Sequence, residues 1–215
     1  MIDILFVTDY VCPYCLVAKE ALKKALIATN TEANIIFHPM ELTMEPEPRV
    51  DTYNDEVRKG KYQVLVEPCK QLGIDMKLPP NVVPRPYTRL AYEGLHFAAS
   101  KGKAEEYNDL MYHAYFIDEK DIGDMDVLVS LAESIGLNGA EYREALENGT
   151  YKEHQEKLSR YAREVLKPRG IPAIYIDGQH VKLSDYSMEE MMGILLYKTQ
   201  NENAAGMVCG VDGCF

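Results

Sequence analysis

Eight residues constrain this chain more than any others: Thr8-Asp9-Tyr10-Val11-Cys12-Pro13-Tyr14-Cys15. An apolar run, Ile2-Asp3-Ile4-Leu5-Phe6-Val7, leads straight into them. A helical pattern from Leu16 to Ala28 leads straight out. A Cys-x-x-Cys pair at a strand-to-helix junction points to thiol–disulfide chemistry. Exchange needs an ionised, reachable thiol as the attacking group. Cys12 falls at the expected N-cap of the helix, with Pro13 at the first helical position, where its missing N–H would have been unpaired anyway. Unpaired backbone N–H groups and the positive end of the helix dipole then face the Cys12 sulfur and favour its thiolate. Cys15, three residues on, shares the helix face and is expected to be the more buried, resolving partner. Pro13 and Tyr14 set the helix start and flank an exposed sulfur. The alternatives are a structural bridge or half of a zinc site. Zinc wants four ligands, and the other candidate pair, Cys209 and Cys214, lies at the far end on a glycine-rich tail.

Composition narrows the partners. At 215 residues the chain can bury one full core, or one domain with a large insertion. The net charge is −11, with no basic cluster longer than Lys167-Pro168-Arg169. That argues against nucleic acid and against an anionic membrane surface. No stretch approaches the length of a membrane span. Met1 opens directly on a core strand, without a charged leader or an apolar h-region, so a cytoplasmic location is expected. The odd cysteine count, five, argues against a fully bridged secreted framework.

Along the chain, a strand over 2–8, a helix over 13–29 and a strand over 33–40 form a β–α–β unit. A right-handed crossover makes the two strands parallel. Residues 41–55 read as a loop, either a substrate-facing rim or a plain connector. Helical patterns follow near 53–72, 86–101, 103–116, 125–135, 139–148 and 151–167. Gly102, Gly136 and Gly149 suit helix ends, and Asp124 and Thr150 suit N-caps. From Arg169 to Leu183 the pattern is a strand, a tight Asp177-Gly178 turn and a short antiparallel strand. A last helix spans 187–198, with Ser187 and Glu190 as a capping box. The predicted organisation is a first β–α–β part (1–45), an all-helical insertion (46–168), a second β–β–α part (169–200) and a cysteine-containing tail (201–215).

This order resembles an α/β thioredoxin-like fold with the large helical insertion of the DsbA family. More closely it resembles that family's cytosolic FrnE-like branch, which has relatives among 2-hydroxychromene-2-carboxylate isomerases and kappa-class glutathione transferases. The residues that carry the resemblance are Asp9 to Cys15, Phe37-His38-Pro39-Met40-Glu41-Leu42, Ala114-Tyr115-Phe116 with Asp121-Ile122-Gly123, and Gly170-Ile171-Pro172. The resemblance implies Cys12 as nucleophile, Cys15 as resolving thiol and Pro172 as a cis-proline opposite them. Ile171 would then offer its backbone to an extended substrate strand, with Pro13 and Tyr14 beside it. The isomerase and transferase cousins are expected to use a serine or an unpartnered cysteine, whereas this chain has both thiols. The implied activity is protein disulfide oxidoreductase or isomerase chemistry on protein or small-molecule disulfides and thiols. No bound cofactor is implied, and glutathione is a candidate thiol co-substrate. The rival readings are a glutathione-dependent enzyme acting on small aromatic molecules and a non-enzymatic redox-sensing or partner-binding module.

Other residues divide between chemistry and packing. Cys209 and Cys214 are either an auxiliary redox pair or a reduced tail. Cys69 reads as a buried, inert thiol. His38 is a proton carrier or, more simply, a structural histidine. Asp9 can influence either thiol or serve as a turn residue. Tyr87, Tyr92, Tyr107, Tyr112 and Tyr115 read as packing. The runs 105–109 and 118–124 read as solvated acidic faces.

Overall fold

The computed structural model describes residues 1–184 and 187–205, with side chains to residue 198. Cys209 and Cys214 lie outside the described residues. Four strands form one sheet in the order β2-β1-β3-β4. β1 (Ile2–Thr8) pairs in parallel with β2 (Ala33–Pro39) and antiparallel with β3 (Ala173–Ile176). β3 turns at Asp177-Gly178, both at positive φ, into β4 (Gln179–Val181). Positive φ at both positions is what a two-residue type I′ hairpin demands.

The period-2 pattern of β1 sorts its side chains onto two faces. Ile2, Ile4 and Phe6 enter the main core. Leu5 and Val7 join a smaller cluster with Ala162, Leu166 and Ala173 on the other face. Helix α1 (Pro13–Ala28) buries Cys15, Leu16, Val17, Ala18, Ala21, Leu22 and Ala25, the stripe that helical spacing dictates. It packs against α9 (Met188–Ala205).

Between β2 and β3 the chain is helical: α2 (Glu56–Tyr62), α3 (Val66–Leu72), α4 (Arg89–Ser100), α5 (Ala104–Phe116), α6 (Met125–Ser134), α7 (Gly139–Glu147) and α8 (Lys152–Tyr161). Local chemistry explains where these boundaries depart from the sequence reading. The predicted helix over 53–72 is broken by a 3₁₀ turn at Gln63–Leu65, and it starts late because Asp55 accepts the N–H groups of Val57 and Arg58. Asp124 caps α6 as expected, but Thr150 does not cap α8. Its N–H instead closes α7 on Ala145 O, so Tyr151 takes the N-cap position. Helix α8 widens into a π turn over Ala162–Leu166 and ends at Lys167, whose φ is 44°. Ser187 Oγ accepts the Glu190 N–H, while the Glu190 carboxylate reaches Ser184.

The acidic run 105–109 is not simply solvated. Asp109 accepts from Lys19 at 2.7 Å and from Lys23 at 2.7 Å. Lys19 is only 2% exposed, so its ammonium has to be paired where it sits.

Candidate active site

The Asp9–Cys12 turn is closed by a backbone hydrogen bond, Cys12 N–H to Asp9 O at 3.0 Å. Cys12 has extended backbone angles and is the N-cap of α1, with Pro13 at its start. Cys12, Cys15 and Cys69 are free thiols. The Ile171–Pro172 bond is cis. Across the sheet, the Cys12 Sγ donates to the Ile171 carbonyl at 3.8 Å. Residues 159 apart in sequence therefore meet at one sulfur because β1 and β3 are neighbours.

The expectation of an exposed sulfur does not hold. Cys12 is 4% exposed and Cys15 0%. The segment after β2 comes close to the site. The Tyr14 hydroxyl donates to Lys61 O at 3.1 Å, which ties α2 across the start of α1. Tyr62 lies on the same segment. Its phenol is pushed up mainly by burial, with smaller contributions from Cys12 and Tyr14. Little in the sequence signals this contact, because α2 is mostly polar and has no buried residue.

Cys15 is held differently. Burial is the main cause that drives its thiol well above the ordinary value, and the Cys12 thiol adds to the effect. The Thr8 hydroxyl and the Asp9 backbone oppose it. Thr8 is itself tied to the Tyr112 hydroxyl, and Tyr92 donates to Thr8 O at 2.9 Å. Beneath them Tyr10 stacks on Tyr92 with ring centroids 4.4 Å apart. Thr8 and Tyr112 are the functional candidates that sequence reading missed. Tyr112 reads as packing, and its ring is buried, but its hydroxyl sits behind the resolving thiol.

The Asp9 carboxylate turns away from both sulfurs. Its Oδ2 accepts the Leu42 N–H at 2.6 Å, pinning the chain after β2 to the redox turn. Oδ1 is buried without a hydrogen-bond partner of its own. Burial raises the Asp9 pKa to about 6, against the opposing pull of Leu42, Thr88 and Arg85.

Next to it, buried Glu41 accepts from Gln155 and Ser159, each at 3.0 Å. The start of the 41–55 loop is therefore an anchor, neither a rim nor a plain connector. His38 bonds Leu158 O through Nε2 at 3.0 Å, and burial lowers its pKa. It joins β2 to α8, away from the sulfurs. Cys69 sits in the core of α3, where burial pushes its thiol up to about 11. Among the described residues no cluster of His, Cys, Asp or Glu could hold a metal ion.

Comparison with known proteins agrees with the fold. A family model described as a DSBA-like thioredoxin domain matches residues 3–193. The uncharacterized protein YwbO of Bacillus subtilis (strain 168) is 38% identical over 170 residues, 79% of this chain and 84% of that relative. A probable DsbA oxidoreductase from Streptomyces coelicolor superposes with a TM-score of 0.75 at 23% identity, covering 100% of this chain and 99% of that one. A cytosolic disulfide reductase, DsbM from Pseudomonas aeruginosa, solved with GSH, gives 0.66 at 14% identity over 92% of this chain and 99% of that one. A 2-hydroxychromene-2-carboxylate isomerase gives 0.72 at 15% identity over 94% and 98%. At these identities the structural likenesses speak to fold alone.

Proposed function

The chain belongs to the DsbA-like thioredoxin domain family, and from that premise we propose that it is a thiol–disulfide oxidoreductase working through Cys12 and Cys15. The observation that carries this reading is the juxtaposition of two free thiols at the N-terminus of α1 with the Ile171 carbonyl, 3.8 Å from the Cys12 sulfur. In the reducing direction the Cys12 thiolate attacks one sulfur of a substrate disulfide. That S–S bond breaks, one substrate thiolate leaves, and a mixed disulfide forms. Cys15 loses its proton and attacks the Cys12 sulfur. The second substrate thiolate leaves, and the chain is left with a Cys12–Cys15 disulfide. Two electrons have passed to the substrate, and the reverse sequence oxidises a dithiol.

Burial of Cys15 makes its deprotonation the harder step, and the Thr8 hydroxyl is the side-chain group that eases it. Pro172, Ile171, Pro13 and Tyr14 flank the reacting sulfur and position the partner chain. A cavity of about 760 Å³ opens beside Gly170, Ile171 and Pro172. That favours an extended polypeptide as the substrate, with glutathione serving as thiol co-substrate and no bound cofactor required. No described helix is long and apolar enough to cross a membrane. The reading places the protein in the cytoplasm.

The test is a trap. In Cys15→Ser protein, Cys12 cannot be resolved, so acid quenching of cells should preserve disulfides between Cys12 and its substrates. Captured proteins linked through Cys12 would support the reading. Glutathione alone at Cys12 would overturn it in favour of a glutathione-dependent small-molecule enzyme.

A further inference from the structure

The cavity beside Ile171 and Pro172 has a lining that the exchange chemistry does not explain. Its walls are the 166–172 segment on one side and Tyr175 with residues 180–183 on the other. Lys167, Arg169 and Lys182 all line it, and among the described residues no aspartate or glutamate does. In a chain with 34 acidic residues and a net charge of −11, that is a local inversion of sign. Lys167, Arg169 and Lys182 are exposed, and none makes a salt bridge within the described residues. By contrast Lys19, Lys23, Arg89 and Arg143 are each committed to carboxylates.

We propose that this cavity is the docking surface for an acidic polypeptide segment flanking the cysteine to be exchanged. The inference rests on the oxidoreductase reading and names the substrate class of that same site. Two features favour a polypeptide over a small anion. First, the cations are exposed and spread along two chain segments. Small anions are held by converging, buried polar groups, whereas exposed charges steer and orient an extended charged partner. Second, one wall is β4, an edge strand of the sheet, whose outer backbone groups have no strand partner among the described residues. An extended segment can lie along such an edge. The same cavity ends at Ile171, whose carbonyl faces the Cys12 sulfur, so a chain lying in it leads to the reacting atom. The acidic remainder of the surface repels an acidic partner elsewhere, which makes the patch selective as well as attractive.

The test compares two peptide disulfides that share one cysteine core, flanked by glutamates in one and lysines in the other. Exchange of the glutamate peptide should be about tenfold faster or more at low salt, and the difference should collapse near 0.5 M salt. Lys167→Glu with Arg169→Glu and Lys182→Glu should invert the preference. The rate on the neutral 2-hydroxyethyl disulfide should stay unchanged, which shows that the variant is folded and its dithiol competent. Equal rates for the two peptides in the wild-type chain would overturn the proposal. So would a triple variant that keeps the acidic preference, or one in which only glutathione disulfide slows. Binding of a fluorescent, cysteine-free glutamate peptide reads docking separately. If no disulfide exchanges, yet this peptide binds the wild type and not the variant, the surface stands and the oxidoreductase reading falls.

Discussion

The floor beneath the two sulfurs and the cover above them are built in opposite ways. The floor is β1, α1 and a block of buried tyrosines. Tyr10, Tyr92, Tyr107 and Tyr112 are each 0% exposed, and they are linked by ring contacts at 4.4 Å and 5.2 Å and by hydroxyl bonds to Thr8 and Ala91. The cover is α2, a seven-residue helix with no buried residue, tethered to Tyr14 through one backbone carbonyl. A sulfur that must be aimed needs a floor with few alternative packings. A sulfur that must meet a protein needs a cover that moves at little cost. On the proposed function, the contrast explains how Cys12 can be 4% exposed and still meet a substrate.

The contrast predicts unequal costs of truncation. Tyr10→Ala removes a fully buried ring stacked on Tyr92 and should cost about 3–5 kcal/mol of stability. Val57→Ala in α2, where the side chain is 69% exposed, should change stability by less than about 0.5 kcal/mol. Urea unfolding of both variants checks this. Similar costs would mean that the cover is as integral to the fold as the floor.

Asp9 sits at the seam between the two regions and supplies a pH test. Its folded pKa, raised to about 6 by burial, exceeds the roughly 3.9 of an unfolded aspartate. The folded chain therefore holds a proton that the unfolded chain has released. The contribution is fully present below about pH 4 and is lost as the pH rises through about 6. About two pKa units correspond to about 3 kcal/mol. Asp9→Asn keeps an acceptor for the Leu42 N–H and cannot ionise. The wild type should lose about 2 kcal/mol between pH 4 and pH 7 relative to this variant. Parallel stability curves for the two proteins would place the Asp9 carboxyl in a wetter environment than the structure gives it.

The floor was the legible half. Ile2 to Cys15 is a local signal: alternation in β1, a proline at the first helical position and an apolar stripe in α1 all follow from neighbouring residues. The return of the chain at 169–183 was also readable, because strands and an Asp-Gly turn have short-range signatures, whereas the pairing of β1 with β3 joins distant segments. Three features were not readable. The Thr8–Tyr112 contact joins residues 104 apart, and nothing in a buried tyrosine's own sequence says where its hydroxyl points. The tie of α2 to Tyr14 beside Cys12 runs through the Lys61 backbone carbonyl, which no side-chain pattern signals. Thr150 has the side chain of a cap, but its backbone N–H was already needed by the end of α7. Local chemistry loses when a neighbouring element makes the stronger claim.

Thr8 tests whether the floor reaches into the chemistry. Its hydroxyl is the side-chain group that lowers the Cys15 thiol against burial. Thr8→Val should raise that thiol further and slow the resolving step. A lost hydrogen bond of about 1 kcal/mol implies a slowing of about fivefold. Release of a preformed Cys12 mixed disulfide, followed against pH, measures it. The profile should move to higher pH while attack by Cys12 is unchanged. A purely structural role would lower stability without moving that profile.

The smallest effect belongs to the cover. Tyr14→Phe removes the hydroxyl that reaches Lys61 O and leaves the ring beside Cys12. The net worth of one such bond, about 0.5–1.5 kcal/mol, sets the expected gain in the opened population at roughly two- to tenfold. Alkylation of Cys12 by a neutral reagent should quicken by that factor, with global stability nearly unchanged. Cys15, buried by the floor and not by α2, should react no faster. If both thiols quickened together, the opening would be of the whole site, and the division into a fixed floor and a yielding cover would fail. If neither quickened, the tether at Tyr14 would not be what closes the site. Access to Cys12 would then be limited instead at Ile171, whose carbonyl faces the sulfur.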